Sequence, residues 1–180
     1  MGCIRARGKP AQVGLGVDGF VSHYTSRLDS KGRVSIPAPF RAVLARDGHE
    51  GLYVYPALDQ DALDCGGHAL RREIHELLGR FSPYSEEHNS FSTVLLGTIE
   101  NLKIDTEGRV ILSESAKAHA NIASEVTFVG HGYKFQIWEP GHFLAHLAEA
   151  RSRLRDLRKQ LSSRHVAPDT PPPRQHGARE

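Results

Sequence analysis

Two arginines, Arg33 and Arg109, occupy the same place in two copies of one short motif. The first copy, residues 28–36, reads LDSKGRVSI, and the second, residues 104–112, reads IDTEGRVIL. Asp, Gly, Arg and Val recur at identical spacing, 76 residues apart. A guanidinium carries five N–H donors in a planar fork, so it can bind a carboxylate, a phosphate or the edge of guanine. The repeat indicates a duplicated unit in which each arginine either stabilises its own turn or binds a ligand.

The residues around each arginine predict a tight turn. Asp29 and Asp105 can accept backbone N–H groups in an Asx-type turn, and Gly32 and Gly108 allow a positive φ. Apolar and polar residues alternate on both sides of the first motif, which predicts a β-hairpin. Pairing of each arginine with the neighbouring aspartate and contact with an outside ligand both remain open, and the two roles can coexist.

The segment after each motif predicts a short helix and then an aromatic strand. Pro37 and Gly48 bracket the first helix, and Ser113 is a plausible N-cap for the second, which runs from residue 114 to 120. The strands are residues 52–56 and 135–140. Matching these two strands predicts seven extra residues in the second half, as a fuller hairpin that includes residues 126–132.

Helical periodicity marks two further regions. Apolar residues at helical spacing between the repeats predict two helices that cover the hairpin layers: Leu70, Ile74, Leu77, Leu78 and Phe81, then Phe91, Val94 and Leu95. Near the C-terminus, apolar residues alternate in steps of four and three, which is a coiled-coil seam: Phe143, Leu147, Ala150, Leu154, Leu157 and Leu161. The arginines on its other faces, within residues 151–159, form either a solvated face or a phosphate contact.

Composition bounds the class of protein. The chain has 180 residues and a net charge of +2, without an apolar run long enough to span a membrane. Residues 34–148 hold nine Lys or Arg against fifteen acids, so a uniformly basic nucleic-acid binder is excluded. Positive charge lies instead at the ends and at the motif turns. Two isolated cysteines, Cys3 and Cys65, fit a reducing compartment.

Catalytic and metal-binding signatures are weak. His142 and His146 are four residues apart, but no Cys or carboxylate accompanies them, and Cys65 with His68 is poor evidence for a nucleophile. We therefore expect no catalytic residues, no metal, no cofactor and no small-molecule substrate. An enzyme that uses Cys65 or a histidine pair is the least favoured of three hypotheses. The others are a DNA-binding regulator and a regulator that acts on a partner enzyme through protein–protein contact.

The two motifs and the ending EVTFVGHGYKFQIWEP together resemble the MraZ family, over roughly residues 20–147. The resemblance implies a mixed α+β, β-rich fold of two tandem AbrB-like modules of the double-psi or swapped-hairpin type. It divides the chain into a flexible extension (1–19), a first module (20–66), connecting helices (67–97), a second module (98–141), a C-terminal helix (142–162) and a disordered tail (163–180). The motif usually lies near the start of such chains, which makes Val17 a candidate start.

The same resemblance implies a function. MraZ-like chains form rings and regulate the promoter of their own division and cell-wall gene cluster by binding short tandem repeats. The expected partners are double-stranded DNA and further copies of the chain, with no membrane, in the cytoplasm and on the nucleoid. Lys31, Arg33 and Arg109 are the expected DNA ligands, and Asp29, Gly32, Asp105 and Gly108 are expected to form the turns. An arginine can take guanine O6 and N7 bidentately from such a turn.

Overall fold

A computed structural model describes residues 19–164, with side chains up to Leu161. Its strands are β1 (His23–Arg27), β2 (Arg33–Ser35), β3 (Gly51–Pro56), β4 (Ala62–Gly66), β5 (Glu100–Lys103), β6 (Arg109–Ile111), β7 (Glu125–Gly130) and β8 (Phe135–Trp138). Its helices are α1 (Ala38–Asp47), α2 (His68–Leu78), α3 (Glu86–Leu95), α4 (Glu114–His119) and α5 (Pro140–Arg164). The fold is therefore mixed α+β. Residues 1–18 of the predicted extension, including Val17, and the tail after residue 164 lie outside the described residues. Residues 163 and 164, which were expected in the tail, still belong to α5.

The strands of the two repeats pair with one another. Six strands form an antiparallel sheet in the order β1-β7-β8-β4-β3-β5, and β2 pairs with β6 in a separate ribbon. Tyr24 of β1 lies opposite Phe128 of β7, and Leu52 of β3 lies opposite Leu102 of β5. β1 and β5, the strands that precede the two motifs, thus lie at the edges of the sheet, each against a strand from the other repeat.

The arrangement has an approximate two-fold symmetry. β1, β2, β3 and β4 of the first repeat correspond to β5, β6, β7 and β8 of the second, so the sheet order reads the same from either edge. The symmetry axis passes between β4 and β8, and Val34 lies opposite Val110 in the ribbon. The duplicated sequence has therefore produced one intertwined unit.

Two expectations from the sequence are wrong. β1 and β2 do not form a local hairpin, because β1 pairs with β7 while β2 pairs with β6. The fuller hairpin is not special to the second half, because β3 and β4 form an equivalent hairpin in the first. The strand at residues 52–56 thus corresponds to β7, and the true counterpart of β8 is β4. The alternation of apolar and polar side chains predicted the strands correctly, but it did not predict which strands pair with each other.

Local signals for the helices are confirmed. α1 has a proline in its first turn and ends before Gly48, and Ser113 Oγ accepts the backbone N–H of Ala116 as the N-cap of α4. Ser85 caps α3 in the same way through His88. Leu70 and Ile74 of α2 are buried against Tyr55 of the sheet, so α2 covers one sheet face. α1 thus ends before the predicted Gly48, and α4 begins after the predicted Ser113. The first connecting helix is shorter than expected, because α2 ends at Leu78 and Phe81 lies beyond it.

The main core combines residues from both repeats. Phe40 of α1 is fully buried, with its ring centroid 5.2 Å from that of Phe20 and 5.0 Å from that of Phe135. Val34 and Val110 of the ribbon belong to the same cluster. A core shared in this way lets neither repeat bury its apolar face alone.

The described chain forms two compact units, which divide between His142 and Phe143. The first unit holds both sheets and α1 to α4. The second consists of α5 from Phe143 onward, a long helix on which Leu154, Leu157 and Leu161 are exposed. No helix among residues 19–164 is long and apolar enough to cross a membrane.

Candidate nucleic-acid interface

The two motif turns adopt the same hydrogen-bonded geometry. In the first, the N–H of Asp29 donates to the carbonyl of Arg33 over 2.8 Å, and the N–H of Gly32 donates to the carbonyl of Asp29 over 2.9 Å. In the second, Asp105 and Gly108 make the equivalent bonds, each of 2.9 Å. Gly32 and Gly108 have φ values of +71° and +77°, a conformation that residues with a side chain rarely adopt.

Each turn is organised by the carboxylate at its start. Asp29 Oδ1 accepts the backbone N–H groups of Lys31 and Arg33 at 2.8 and 2.9 Å, and Oδ2 accepts Nε of Arg33 at 2.7 Å. Asp105 makes the same three bonds with Glu107 and Arg109. The backbone and side-chain bonds from Arg33 lower the pKa of Asp29 to about 2. Bonds from Arg109 lower the pKa of Asp105 in the same way.

Both arginines are therefore held by their own turns. Arg33 and Arg109 have side chains only 28% and 23% exposed, and each forms an ion pair with the aspartate four residues before it. Arg33 uses Nε and Nη2 for this pair, which leaves Nη1 and one N–H of Nη2 as a donor edge. Each arginine thus stabilises its own turn. The remaining N–H groups of Arg33 are still donors that a base or a phosphate could accept.

The two turns differ in charge at one position. Lys31 is exposed, and among residues 19–164 its ammonium has no partner. Glu107 stands in its place in the second turn, where its carboxylate binds Nη1 of Arg109. The bond to Asp105 raises the pKa of Arg109, and the charges of Asp105 and Glu107 add to that effect. The first turn is consequently the more basic one, and its arginine has more free donors.

A cation from the opposite repeat lies against each turn. Arg41 of α1 donates from Nη1 to the carbonyl of Glu107 over 3.0 Å. Lys117 of α4 has its Nζ 3.8 Å from the position that a Cβ would take at Gly32. Neither residue was predicted as part of the site, although each lies eight positions after the arginine of its motif. That shared spacing was the available signal.

The ribbon β2–β6 joins the two turns. Ser35 lies opposite Arg109 and Arg33 lies opposite Ile111, while the N–H of Ile36 donates to the carbonyl of Gly108 over 2.9 Å. Val34 and Val110 anchor the ribbon in the core with exposures of 0% and 1%. Two turns joined by one ribbon therefore hold the predicted site residues: Asp29, Lys31, Gly32, Arg33, Asp105, Gly108 and Arg109.

The residues that were considered for catalysis or metal binding do not form a comparable site. Cys65 is fully buried, and burial raises the pKa of its thiol well above the usual value, so the reactive thiolate is disfavoured. Among residues 19–164, no group of three or more His, Cys, Asp or Glu side chains is placed to hold a metal ion.

Comparison with known proteins identifies the family. Residues 95–164 match the family described as "MraZ protein, putative antitoxin-like". The Transcriptional regulator MraZ of Beijerinckia indica is 73% identical over 164 residues, which cover 91% of this chain and all of that protein. The protein of the same name from Methylocella silvestris is 71% identical over the same length and coverage. That from Azorhizobium caulinodans is 58% identical over 147 residues, or 82% of this chain and 94% of the relative. The resemblance that the two motifs indicated is thus confirmed, and this chain belongs to the MraZ family.

Proposed function

We propose that this chain is a sequence-specific DNA-binding regulator of transcription. The observation that carries the proposal is the pair of equivalent turns, each of which holds an arginine beside one shared ribbon. Two-stranded ribbons can enter the major groove, where an arginine fork can bind guanine O6 and N7. The relatives, which bear the name of transcriptional regulators, support the same class of function.

Lys31 and Arg33 form the stronger half of the proposed interface. Arg33 offers its free donor edge to a base or phosphate, and the exposed ammonium of Lys31 adds a phosphate contact. Arg109 is the equivalent ligand in the second turn, but Glu107 competes for its donors. Arg41 lies against the second turn and contributes positive charge, whereas Lys117 lies against the first turn with its ammonium paired to Glu114. Asp29 and Asp105 contribute by fixing the direction in which each arginine leaves the backbone.

Specificity requires more than one copy of the chain. A single bidentate contact discriminates between bases by about 1–3 kcal/mol, which is too little to select one genomic site. A closed ring of AbrB-like modules (residues 20–66 and 98–141, joined by 67–97) would multiply the contacts and cover the unpaired edges of β1 and β5. The proposed target is a set of short tandem repeats in the promoter of the chain's own division and cell-wall gene cluster. The protein would act there in the cytoplasm, on the nucleoid.

The proposed contact is tested by gel shift with DNA from upstream of the chain's own gene and a scrambled competitor. Lys31→Ala should weaken specific binding about 3- to 10-fold and flatten its salt dependence by roughly one counterion per subunit. Arg33→Ala should weaken binding more than Arg109→Ala. Arg80→Ala removes one exposed cation from the end of α2 and serves as the control, with unchanged binding.

The second candidate is a regulator that binds a partner enzyme, with the arginines acting only in their turns. The Asp–Arg pairs are the observation in its favour. This second candidate predicts that Lys31→Ala leaves DNA binding unchanged, provided that the variant is still folded and assembled. Light scattering on each variant measures assembly directly, and a monomer at micromolar concentration would contradict the proposed ring.

A further inference from the structure

The exposed end of α5 carries an apolar seam with an unusual charge pattern. Leu154, Leu157 and Leu161 are 65%, 53% and 64% exposed, and their steps of three and four residues place them at a, d and a positions of a heptad. Apolar seams of this kind are buried by a partner helix, because each side chain fits between four residues of the facing helix. The seam is therefore a surface that lacks its partner within the described second unit.

The charges of the residues beside the seam indicate which kind of partner helix fits it. In the heptad set by Leu154 and Leu157, the flanking e and g positions hold Arg151, Arg153, Arg158 and Gln160. The two acids of this segment, Glu149 and Asp156, fall at c positions on the opposite face. Glu149 pairs with Arg153 at the g position, and Asp156 pairs with Lys159 at an f position. Both borders of the seam are thus basic or neutral, and neither offers a carboxylate to a facing helix.

This pattern disfavours pairing of α5 with a second α5. In a parallel pair, Arg153 at g would face Arg158 at e of the other helix, and an antiparallel pair would also bring arginines together. Like charges across such a border select against a partner. A helix with carboxylates at its own e and g positions would instead form ion pairs along both borders.

The width of the apolar face argues against a membrane surface. Helices that lie on bilayers bury a broad apolar face that is often rich in aromatic residues. Between Ala150 and Leu161 the apolar residues are confined to the a and d positions, without an aromatic residue. DNA would use the arginines but would leave the three leucines in water. The leucines and arginines together fit one kind of occupant.

We propose that residues 150–161 of α5 form a docking site for an acidic amphipathic helix of another protein. The leucines of the seam pack against the apolar face of that helix, and Arg151, Arg153 and Arg158 form ion pairs with carboxylates at its borders. The site uses none of the residues of the motif turns.

The experiment uses the full chain and two labelled helical peptides of about three heptads. Both peptides carry Leu at a and d; one has Glu at e and g, and its twin has Lys. Fluorescence anisotropy should show the acidic peptide bound at least about tenfold more tightly than the basic twin. Leu157→Glu should abolish this binding. Equal affinity for the two peptides, or affinity for neither, would overturn the proposal.

A pair of charge-reversal variants separates the seam from general electrostatics. Arg153→Glu with Arg158→Glu should reverse the preference, so that the basic peptide binds more tightly. Arg155→Glu with Lys159→Glu makes the same change of charge at b and f positions and should keep the preference for the acidic peptide. If both double variants behave alike, the seam has no selective border and the docking site is refuted.

Three further readouts identify the rival occupants. Light scattering should give the same mass for the parent and for Leu157→Glu; a lower mass for the variant would assign the seam to a second copy of the chain. Vesicles with about 30% anionic lipid should not displace the acidic peptide, because the narrow seam does not suit a bilayer. Gel shift should give Arg153→Glu with Arg158→Glu the same sequence preference as the parent. Displacement by vesicles, or a lost preference for the DNA sequence, would overturn the proposal.

Discussion

Asp29 shows how one side chain can organise a functional turn. Its two carboxylate oxygens accept two backbone N–H groups and the Arg33 guanidinium, so the aspartate fixes both the backbone and the arginine. Asp105 repeats the arrangement 76 residues later. Because the carboxylate must be ionised to accept these bonds, the stability of the turn depends on pH.

Acid should therefore destabilise the first turn. The pKa of Asp29 is lowered to about 2 in the folded chain, below its usual value near 4. Its contribution to stability is therefore complete above about pH 4 and is lost as the pH falls toward 2. Asp29→Asn should lower the melting temperature at neutral pH, and the difference from the parent should shrink over that acid range.

Asp59→Asn is the control for this experiment, because Asp59 is exposed and has no hydrogen bond or ion pair within the described part of the chain. Its melting temperature should follow that of the parent at every pH. A difference between Asp29→Asn and the parent that stayed constant down to pH 2 would show that the carboxylate charge is not what stabilises the turn.

The charge difference between the turns should affect DNA binding. Glu107 binds the guanidinium of Arg109 and places an extra negative charge where DNA would approach. Glu107→Lys should tighten DNA binding about 3- to 10-fold and steepen its salt dependence by roughly one to two counterions per subunit. Glu76→Lys, the same change at an exposed position of α2, should have a much smaller effect. Equal effects of the two changes would indicate nonspecific attraction.

Among the elements, the short helix α4 depends on its first residue. Ser113 Oγ accepts the N–H of Ala116 over 3.2 Å and donates to Glu100 of β5 over 2.8 Å. It therefore caps the helix and ties it to an edge strand of the sheet. Ala116 of α4 and Ala120, the C-cap of α4, belong to the core, and this start holds both in place.

Ser113→Ala should accordingly lower the free energy of unfolding by about 0.5–2 kcal/mol, the usual range for a lost N-cap. Chemical denaturation measures the loss. Ser92→Ala is the matched control: Ser92 lies within α3, and alanine is the better helix former there. A loss no larger than that of the control would mean that packing alone fixes the start of α4.

For the whole of the first unit, the shared core has a consequence for folding. Phe40 belongs to the first repeat, yet its ring packs between Phe20 and Phe135, which come from opposite ends of that unit. Trp138, the single tryptophan, lies in β8 of the second repeat. Neither repeat has a separate core, so we expect residues 19–142 to unfold as one cooperative unit.

Phe40→Ala tests this expectation. The change should destabilise the first unit by about 3–5 kcal/mol, and tryptophan fluorescence should report the full shift although Trp138 lies in the other repeat. Circular dichroism at the same denaturant concentrations should give a coincident midpoint. Two separated transitions, with fluorescence unaffected by Phe40→Ala, would show that the repeats fold independently.

The sequence alone determined the local features of this protein. These features depend on hydrogen bonds between residues a few positions apart. They are the Asp-x-x-Gly-Arg turns, the N-cap at Ser113 and the end of α1 before Gly48. Such bonds require only the right residue at the right spacing, so the pattern of residues is sufficient to predict them. The family was evident for the same reason, because its motifs are local.

Only the tertiary structure decided which strands pair and what lies against each turn. The backbone groups of β1 could pair with either β2 or β7. Adjacency in the chain favours β2, but β1 pairs with β7. The choice depends on burying Val34, Val110 and Phe40 together, an interaction between residues far apart in sequence. The same pairing brings Arg41 to the second turn, and no local pattern contains that contact.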